Sequence, residues 1–210
     1  MTRPRIFVLA GVNGAGKSSV GGHALQRVGI AWFNPDTFAR ALVEATGSPQ
    51  ADANVAAWHE GVRRLDQAIA QGHDHAFETT LGGNTIVAKL REASASHDLQ
   101  MWYCGLDSPE HHIARVRLRV SRGGHDIPEA KIRERWHSSL ANLIGLMPRL
   151  SQLQLYDNSR DAAPGTSVPD PKLLLQTAHG RILWPTDTEA LQQTPDWAKP
   201  ILEAALQSRE

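Results

Sequence analysis

The residues Gly11-Val12-Asn13-Gly14-Ala15-Gly16-Lys17-Ser18 directly follow the apolar run Ile6-Phe7-Val8-Leu9-Ala10. A strand that ends in G-x-x-x-x-G-K-S is the arrangement a phosphate cradle needs. Glycines at 11, 14 and 16 permit the positive-φ turns that aim successive backbone N–H groups at an anion. Lys17 is placed to reach β/γ-phosphates, the Ser18 hydroxyl to ligate Mg²⁺, and the helix opening there adds its positive dipole end. Gly11, Asn13, Gly14, Ala15, Gly16, Lys17, Ser18 and Ser19 are the candidate nucleotide-binding residues.

Two carboxylates follow at comparable places. Asp36, in Asn34-Pro35-Asp36-Thr37, comes at the end of a strand-like run, on the sheet edge where open α/β proteins bind ligands. It is a candidate to take the proton of an attacking hydroxyl, and equally a candidate helix N-cap. Glu78, in Phe77-Glu78-Thr79-Thr80, ends the next strand. It reads as a water- or Mg²⁺-orienting carboxylate with Thr79 and Thr80 as hydroxyl donors to ligand, the alternatives being a helix cap or a pair with a lid arginine.

The densest cationic stretch carries Arg115, Arg117, Arg119 and Arg122, then Gly123-Gly124-His125-Asp126-Ile127-Pro128, then Lys131, Arg133 and Arg135. Helical spacing puts Arg115, Arg119 and Arg122 on one face, where like charges repel unless polyphosphate neutralises them. With a Gly-Gly hinge, this is the composition of a phosphoryl-transfer lid. Arg119, Arg122 and Arg135 are the candidate charge stabilisers, Arg117 and Lys131 read as a solvated face, and Arg115 and Arg133 are open. His73-x-His75 and His111-His112 lack a metal-ligand set, and Trp58 and Trp102 read as core.

To position these groups, strands are expected near 5–11, 31–34, 74–80, 100–106 and 153–157. Helices are expected near 17–28, 36–46, 51–71, 84–95, 109–122 and 128–144. This alternation predicts an α/β fold with a five-stranded parallel sheet covered by helices on both faces. The 51–71 helix should lay Val55, Trp58, Val62, Leu65 and Ile69 on the body. Beyond the core at about 5–160, the appendage of residues 161–210 should hold a hairpin from Leu173 to Trp184, turning at His179-Gly180, and a last helix from about Asp196 to Gln207.

The 210 residues suit one domain, residues 1–210. Lys+Arg and Asp+Glu number 22 each, so composition offers little to a nucleic-acid partner. The lone cysteine, Cys104, lies in an apolar run, which fits a reducing compartment and a core thiol. No signal-peptide pattern and no long apolar stretch is present, so the expectation is a soluble cytoplasmic protein without a membrane partner.

In combination, these pieces resemble the zeta-toxin family of small P-loop kinases, and more closely its chromosomal branch labelled predicted ATPases. The matching residues are Gly11 to Ser18, Asn34-Pro35-Asp36, Phe77-Glu78-Thr79-Thr80-Leu81, the lid Arg119-Val120-x-Arg122-Gly123-Gly124-His125-x-Ile127-Pro128, Arg135-Trp136 and Tyr156-Asp157-Asn158-Ser159. The resemblance covers residues 5–160. It implies a nucleotide-kinase-like core that moves the γ-phosphate of ATP, with Mg²⁺, onto a small-molecule hydroxyl, with Asp36 as base, Lys17 as phosphate clamp and the lid arginines as charge stabilisers. In zeta toxins proper the acceptor is the amino-sugar 3′-hydroxyl of UDP-N-acetylglucosamine, the product poisons cell-wall synthesis, and an antitoxin protein is the partner. The Gly-Gly-His lid differs from that of the toxins proper, and the stretch between Asp36 and Gly72 matches poorly. A kinase of another metabolite, a polynucleotide end or a nucleotide, and an ATP-dependent binding switch without acceptor phosphorylation, are the competing readings. Tyr156-Asp157-Asn158 is open between an adenine contact and a simple chain turn.

Overall fold

The computed structural model describes residues 3–18, 21, 31–162 and 169–207. The chain forms β1 (Arg5–Ala10), α1 (Pro35–Thr46), α2 (Gln50–Gln71), β2 (His75–Thr79), α3 (Asn84–Ala93) and β3 (Asp98–Gly105). These lead into α4 (Pro109–Ser121), α5 (Glu129–Leu146), β4 (Leu150–Asp157), β5 (Lys172–Ala178), β6 (Arg181–Trp184), α6 (Thr188–Gln192) and α7 (Lys199–Gln207). The helix expected over 17–28 lies largely outside the described residues, as does Ser19.

The sheet differs from the expected five parallel strands. It has six strands in the order β2-β1-β3-β4-β5-β6, parallel from β2 through β4 and antiparallel at β5 and β6. The expected strand over 31–34 shrinks to one parallel bridge, Phe33 to Phe77. Phe33 N–H donates to Ala76 at 2.8 Å and Phe33 C=O accepts from Glu78 at 2.9 Å, but Pro35 has no N–H to continue the ladder and already begins α1. The hairpin forms as expected and continues the main sheet, because its first strand pairs with the open edge of β4. His179 and Gly180 take φ of 48° and 74°, the two positive values that a two-residue hairpin turn demands.

One large core joins the sheet to α2, α3, α5 and α7 through residues such as Ile6, Val8, Leu65, Leu90, Met101, Leu143, Leu153 and Ile201. A smaller cluster of Val12, Ile113, Val116, Ile127 and Ile132 secures the start of the phosphate loop to α4 and α5. Trp197 packs against Gly105 at the end of β3, so close that a Cβ there would stand 2.2 Å from the indole. Among the described residues no helix is long and apolar enough to cross a membrane.

The packing of α2 also departs from expectation. Its buried residues are Ala53, Ala57, Leu65 and Ala68, while Val55 and Trp58 stay 57% and 45% exposed. Ala53 and Ala57 meet Ala39 of α1, and small side chains let the two helices approach closely. Val55, about 200° round the helix from both alanines, is turned outward, while Trp58, on the same face as the buried Leu65 seven residues on, borders a cavity rather than the core.

Leu65→Ala should therefore lower unfolding free energy by about 2–5 kcal/mol. Trp58→Ala should shift it by no more than about 0.5 kcal/mol. Urea midpoints of the two variants check this, and equal losses would contradict the packing described.

Candidate active site

Gly11, Gly14 and Gly16 take φ of 139°, 85° and 81°. Their surroundings exclude side chains as well: a Cβ on Gly14 would lie 2.8 Å from the His112 carbonyl, and one on Gly16 would lie 2.4 Å from Asn158 Nδ2. The loop is held from outside by its carbonyls. His112 Nδ1 bonds Asn13 C=O at 2.8 Å and Asn158 Nδ2 donates to Ala15 C=O at 2.9 Å. Since C=O and N–H of a planar peptide point in opposite directions, the amides of Gly14 and Gly16 face the other way, toward the cradle. Arg135 Nη1 donates to Asn13 Oδ1 at 2.8 Å, which ties α5 to the loop.

Lys17 and Glu78 are both buried, with Nζ 3.4 Å from Glu78 Oε1. Glu78 Oε2 accepts from Ser18 Oγ at 2.9 Å and from Asn34 Nδ2 at 2.9 Å. Glu78 thus pairs with the phosphate loop, and α3 starts at Gly83 without a side-chain cap. Thr79 and Thr80 line the cavity below and fold their hydroxyls back, accepting from Leu81 N–H at 3.0 Å and Gly82 N–H at 3.4 Å.

The cap of α1 is Asn34, whose Oδ1 accepts from Asp36 N–H at 2.9 Å and Thr37 N–H at 3.2 Å. Capping is therefore not the role of Asp36. Its carboxylate stands 3.9 Å from Arg119 Nη1 and 3.9 Å from His125 Nε2. Arg119 Nη2 donates to His125 C=O at 3.0 Å, and Gly124 packs on the Arg119 stem, so the lid turn and its arginine form one unit over Asp36.

The other cations separate. Arg115 binds Asp161 through Nη2 at 2.7 Å and Asn158 C=O at 2.7 Å, fastening α4 to the end of β4. Arg117 pairs with Glu129, Arg133 with Glu110 and Lys131 with Glu134. Arg122 caps the C-terminus of α4, exposed, and does not line the cavity. Of Tyr156-Asp157-Asn158, Asn158 reaches the phosphate loop while Tyr156 OH donates to Gln154.

Of the candidate site residues, Asn13, Lys17, Asp36, Glu78, Thr79, Thr80 and Arg135 line a cavity of about 350 Å³, and Ser18, Arg119 and Arg122 do not. Its walls are Asn13 and Lys17 of the loop, the Phe33 to Asp36 segment, the end of β2, and His125, Asp126, Ile127 and Pro128 of the lid. Lys131 and Arg135 of α5 and Asn54, Ala57, Trp58 and Gly61 of α2 complete it. The sequence reading did not assign a place here to Asn34, His125, Asn54 or Trp58. For Asn34 a signal existed, since Asn followed by Pro is a helix-start pattern. His112 was also missed, and burial behind the loop leaves no trace in local sequence. Among the described residues no cluster of three or more His, Cys, Asp or Glu is arranged to hold a metal by itself. Burial pushes the Cys104 thiol up to about 12, which keeps it an inert core residue.

No family model matches the chain. It is 27% identical over an alignment of 146 residues to a Haemophilus influenzae protein described only as uncharacterized, with 65% of this chain and 100% of that protein covered. Among solved structures it is similar to AvrRxo1-ORF1:-ORF2 with ATP, at a TM-score of 0.67 and 14% identity over 97% of this chain. The chain spans 64% of the length of that structure's chain. It is also similar to the PezAT chromosomal toxin-antitoxin system of Streptococcus pneumoniae, at a TM-score of 0.59 and 13% identity over 99% of this chain and 86% of that one. These likenesses show that the chain shares the α/β fold of those structures.

Burial lowers the His112 pKa from 6.5 to about 4, partly offset by its bond to Asn13. Between those values the unfolded chain binds a proton that the folded chain refuses, so stability rises with pH across that window. The contribution is complete above pH 6.5 and lost as pH falls to 4, worth about 3 kcal/mol. His75, also lowered to about 4 by burial, acts in the same direction. Urea midpoints measured from pH 7 to 4 should fall, and His112→Gln should flatten only part of that fall.

Proposed function

We propose that this chain is an ATP-dependent kinase that transfers the γ-phosphate to a hydroxyl of a small acceptor, with UDP-N-acetylglucosamine the first acceptor to test. The observation that carries this reading is that the buried Lys17 and the Ser18 hydroxyl both reach the buried Glu78 carboxylate, and that Lys17 and Glu78 line the same cavity as Asp36. AvrRxo1-ORF1:-ORF2, of like fold, is a complex solved with ATP, and PezAT is a toxin-antitoxin system. The first supports the use of ATP, and the second makes an antitoxin protein the proposed partner.

In this reading the loop amides and Lys17 bind the β/γ-phosphates. The Ser18 hydroxyl beside the Glu78 carboxylate is a hard-oxygen donor set that suits Mg²⁺, with Ser18 as the protein ligand and Glu78 orienting its hydration. Mg²⁺ held there supplies neutralisation of charge on the phosphate oxygens. Asp36 accepts the proton of the acceptor hydroxyl, whose oxygen forms a bond to the γ-phosphorus while the bond from that phosphorus to the β–γ bridging oxygen breaks and ADP leaves. Arg119 and Arg135 stabilise charge on the transferring group, and the lid excludes water. Arg122 acts only if the lid moves it nearer. Thr79 and Thr80 contact the acceptor.

The test is transfer from Mg-ATP to UDP-N-acetylglucosamine, read by mass spectrometry of the phosphorylated sugar nucleotide. Lys17→Ala should abolish it. Asp36→Asn should keep ATP binding and lower transfer by about 10²–10⁴-fold. Unchanged transfer in Asp36→Asn would remove this carboxylate as the base, and ATP-induced shape change without any acceptor-dependent turnover would favour a binding switch.

A further inference from the structure

Arg115, Arg117, Arg119, Lys131 and Arg133 each stand beside a carboxylate. Arg135 lines the cavity without one: among the described residues its side chain bonds only Asn13, Nη1 donating to Oδ1 at 2.8 Å. Asn13 is itself buried in the phosphate loop. A guanidinium carries five N–H donors, so most of those on Arg135 are unspent.

The rest of Arg135 is fixed as well. Residues 135, 139 and 142 fall on one stripe of α5, which docks on the turn after β2. Ser139 Oγ donates to Thr80 C=O at 2.8 Å and Asn142 Nδ2 to Leu81 C=O at 2.9 Å. In that turn Leu81 is fully buried and takes φ of 56°, a left-handed conformation that a residue with a Cβ adopts only when its surroundings hold it. The Arg135 stem packs on Gly82, where a Cβ would stand 2.7 Å from Arg135 Cγ. Backbone and stem are therefore set by the end of β2, and the charged head is set by Asn13.

We propose that Asn13 is a positioning residue: its side chain aims Arg135 at the transferring phosphoryl group instead of binding the nucleotide itself. This rests on the kinase reading above. An aspartate at position 13 would hold the same guanidinium but cancel its charge. The neutral amide holds it and leaves the full charge for an anion, so the ordering of a long side chain is completed in folding and not during the reaction.

The experiment is isothermal titration of the full chain, in Mg²⁺, with two probes. One is a non-hydrolysable ATP analogue, and the other is ADP with aluminium fluoride, whose planar fluoride stands in for the transferring phosphoryl group. Asn13→Ala should weaken the aluminium fluoride complex about 10-fold or more beyond any loss for the ATP analogue. Arg135→Met, which keeps a stem against Gly82 and removes the donors, should cost about 10³-fold in the same comparison. Because Asn13 acts through Arg135, the double variant should lose no more than Arg135→Met alone. Asn13→Ser, too short to reach Arg135, should match Asn13→Ala and checks that alanine has not disturbed the loop. Equal losses for both probes in the two Asn13 variants, no loss in either, or losses that multiply in the double variant would each overturn the proposal and leave the kinase reading intact. A wild-type chain that binds the ATP analogue but not ADP with aluminium fluoride overturns it too. Failure of the ATP analogue to bind would instead sink the kinase reading.

Discussion

The site depends on a buried ion pair. Lys17 and Glu78 sit at the carboxyl ends of neighbouring parallel strands, where the pairing of Leu9 with Glu78 brings the start of the phosphate loop beside the end of β2. Burying two charges is costly unless the geometry is good and the remaining lone pairs are satisfied. Here the Ser18 hydroxyl and the Asn34 amide supply the further donors. Three of these four residues, Lys17, Ser18 and Glu78, are those on which the proposed phosphate and metal binding rests, so one electrostatic requirement organises both stability and chemistry.

Asn34 extends that cluster to the acceptor side. Through Nδ2 it holds Glu78, and through Oδ1 it caps the helix whose first turn carries Asp36. The candidate base is thus held by a rigid element anchored at the candidate phosphate site. Opposite it, the lid delivers Arg119 and His125 as a unit, since the arginine is bonded to the lid backbone. In a low-dielectric cavity such pre-set dipoles and charges are worth more than they would be in water.

Behind the site, a chain of hydrogen bonds carries the end of β2 into the core. Ser139 Oγ donates its single proton to Thr80 C=O at 2.8 Å, so the Tyr103 hydroxyl at 2.9 Å must donate to Ser139. Burial raises the Tyr103 pKa well above its ordinary value, which keeps that donor protonated. The β4 edge is served from the other side by the C-terminal hairpin, and Trp197 on Gly105 joins the final helical segment to the same core.

By itself the sequence determined the phosphate loop, most of the order of strands and helices, and the place of Glu78 near the end of a strand. These are local properties: glycines where φ must be positive, apolar periodicity, and polar residues where strands stop. Tertiary structure alone decided which groups meet. It divided the arginines, sending Arg115 to Asp161 and Arg119 to Asp36, because partners 46 residues or more away in the chain have no local signature. It gave the cap to Asn34 and left Asp36 in the cavity. It made the sheet mixed, because an open β4 edge is satisfied by a strand of either direction. It left Trp58 beside a cavity, because hydrophobic period measures which residues share a face, while what stands opposite each part of that face, core at Leu65 and cavity at Trp58, is decided by the rest of the fold.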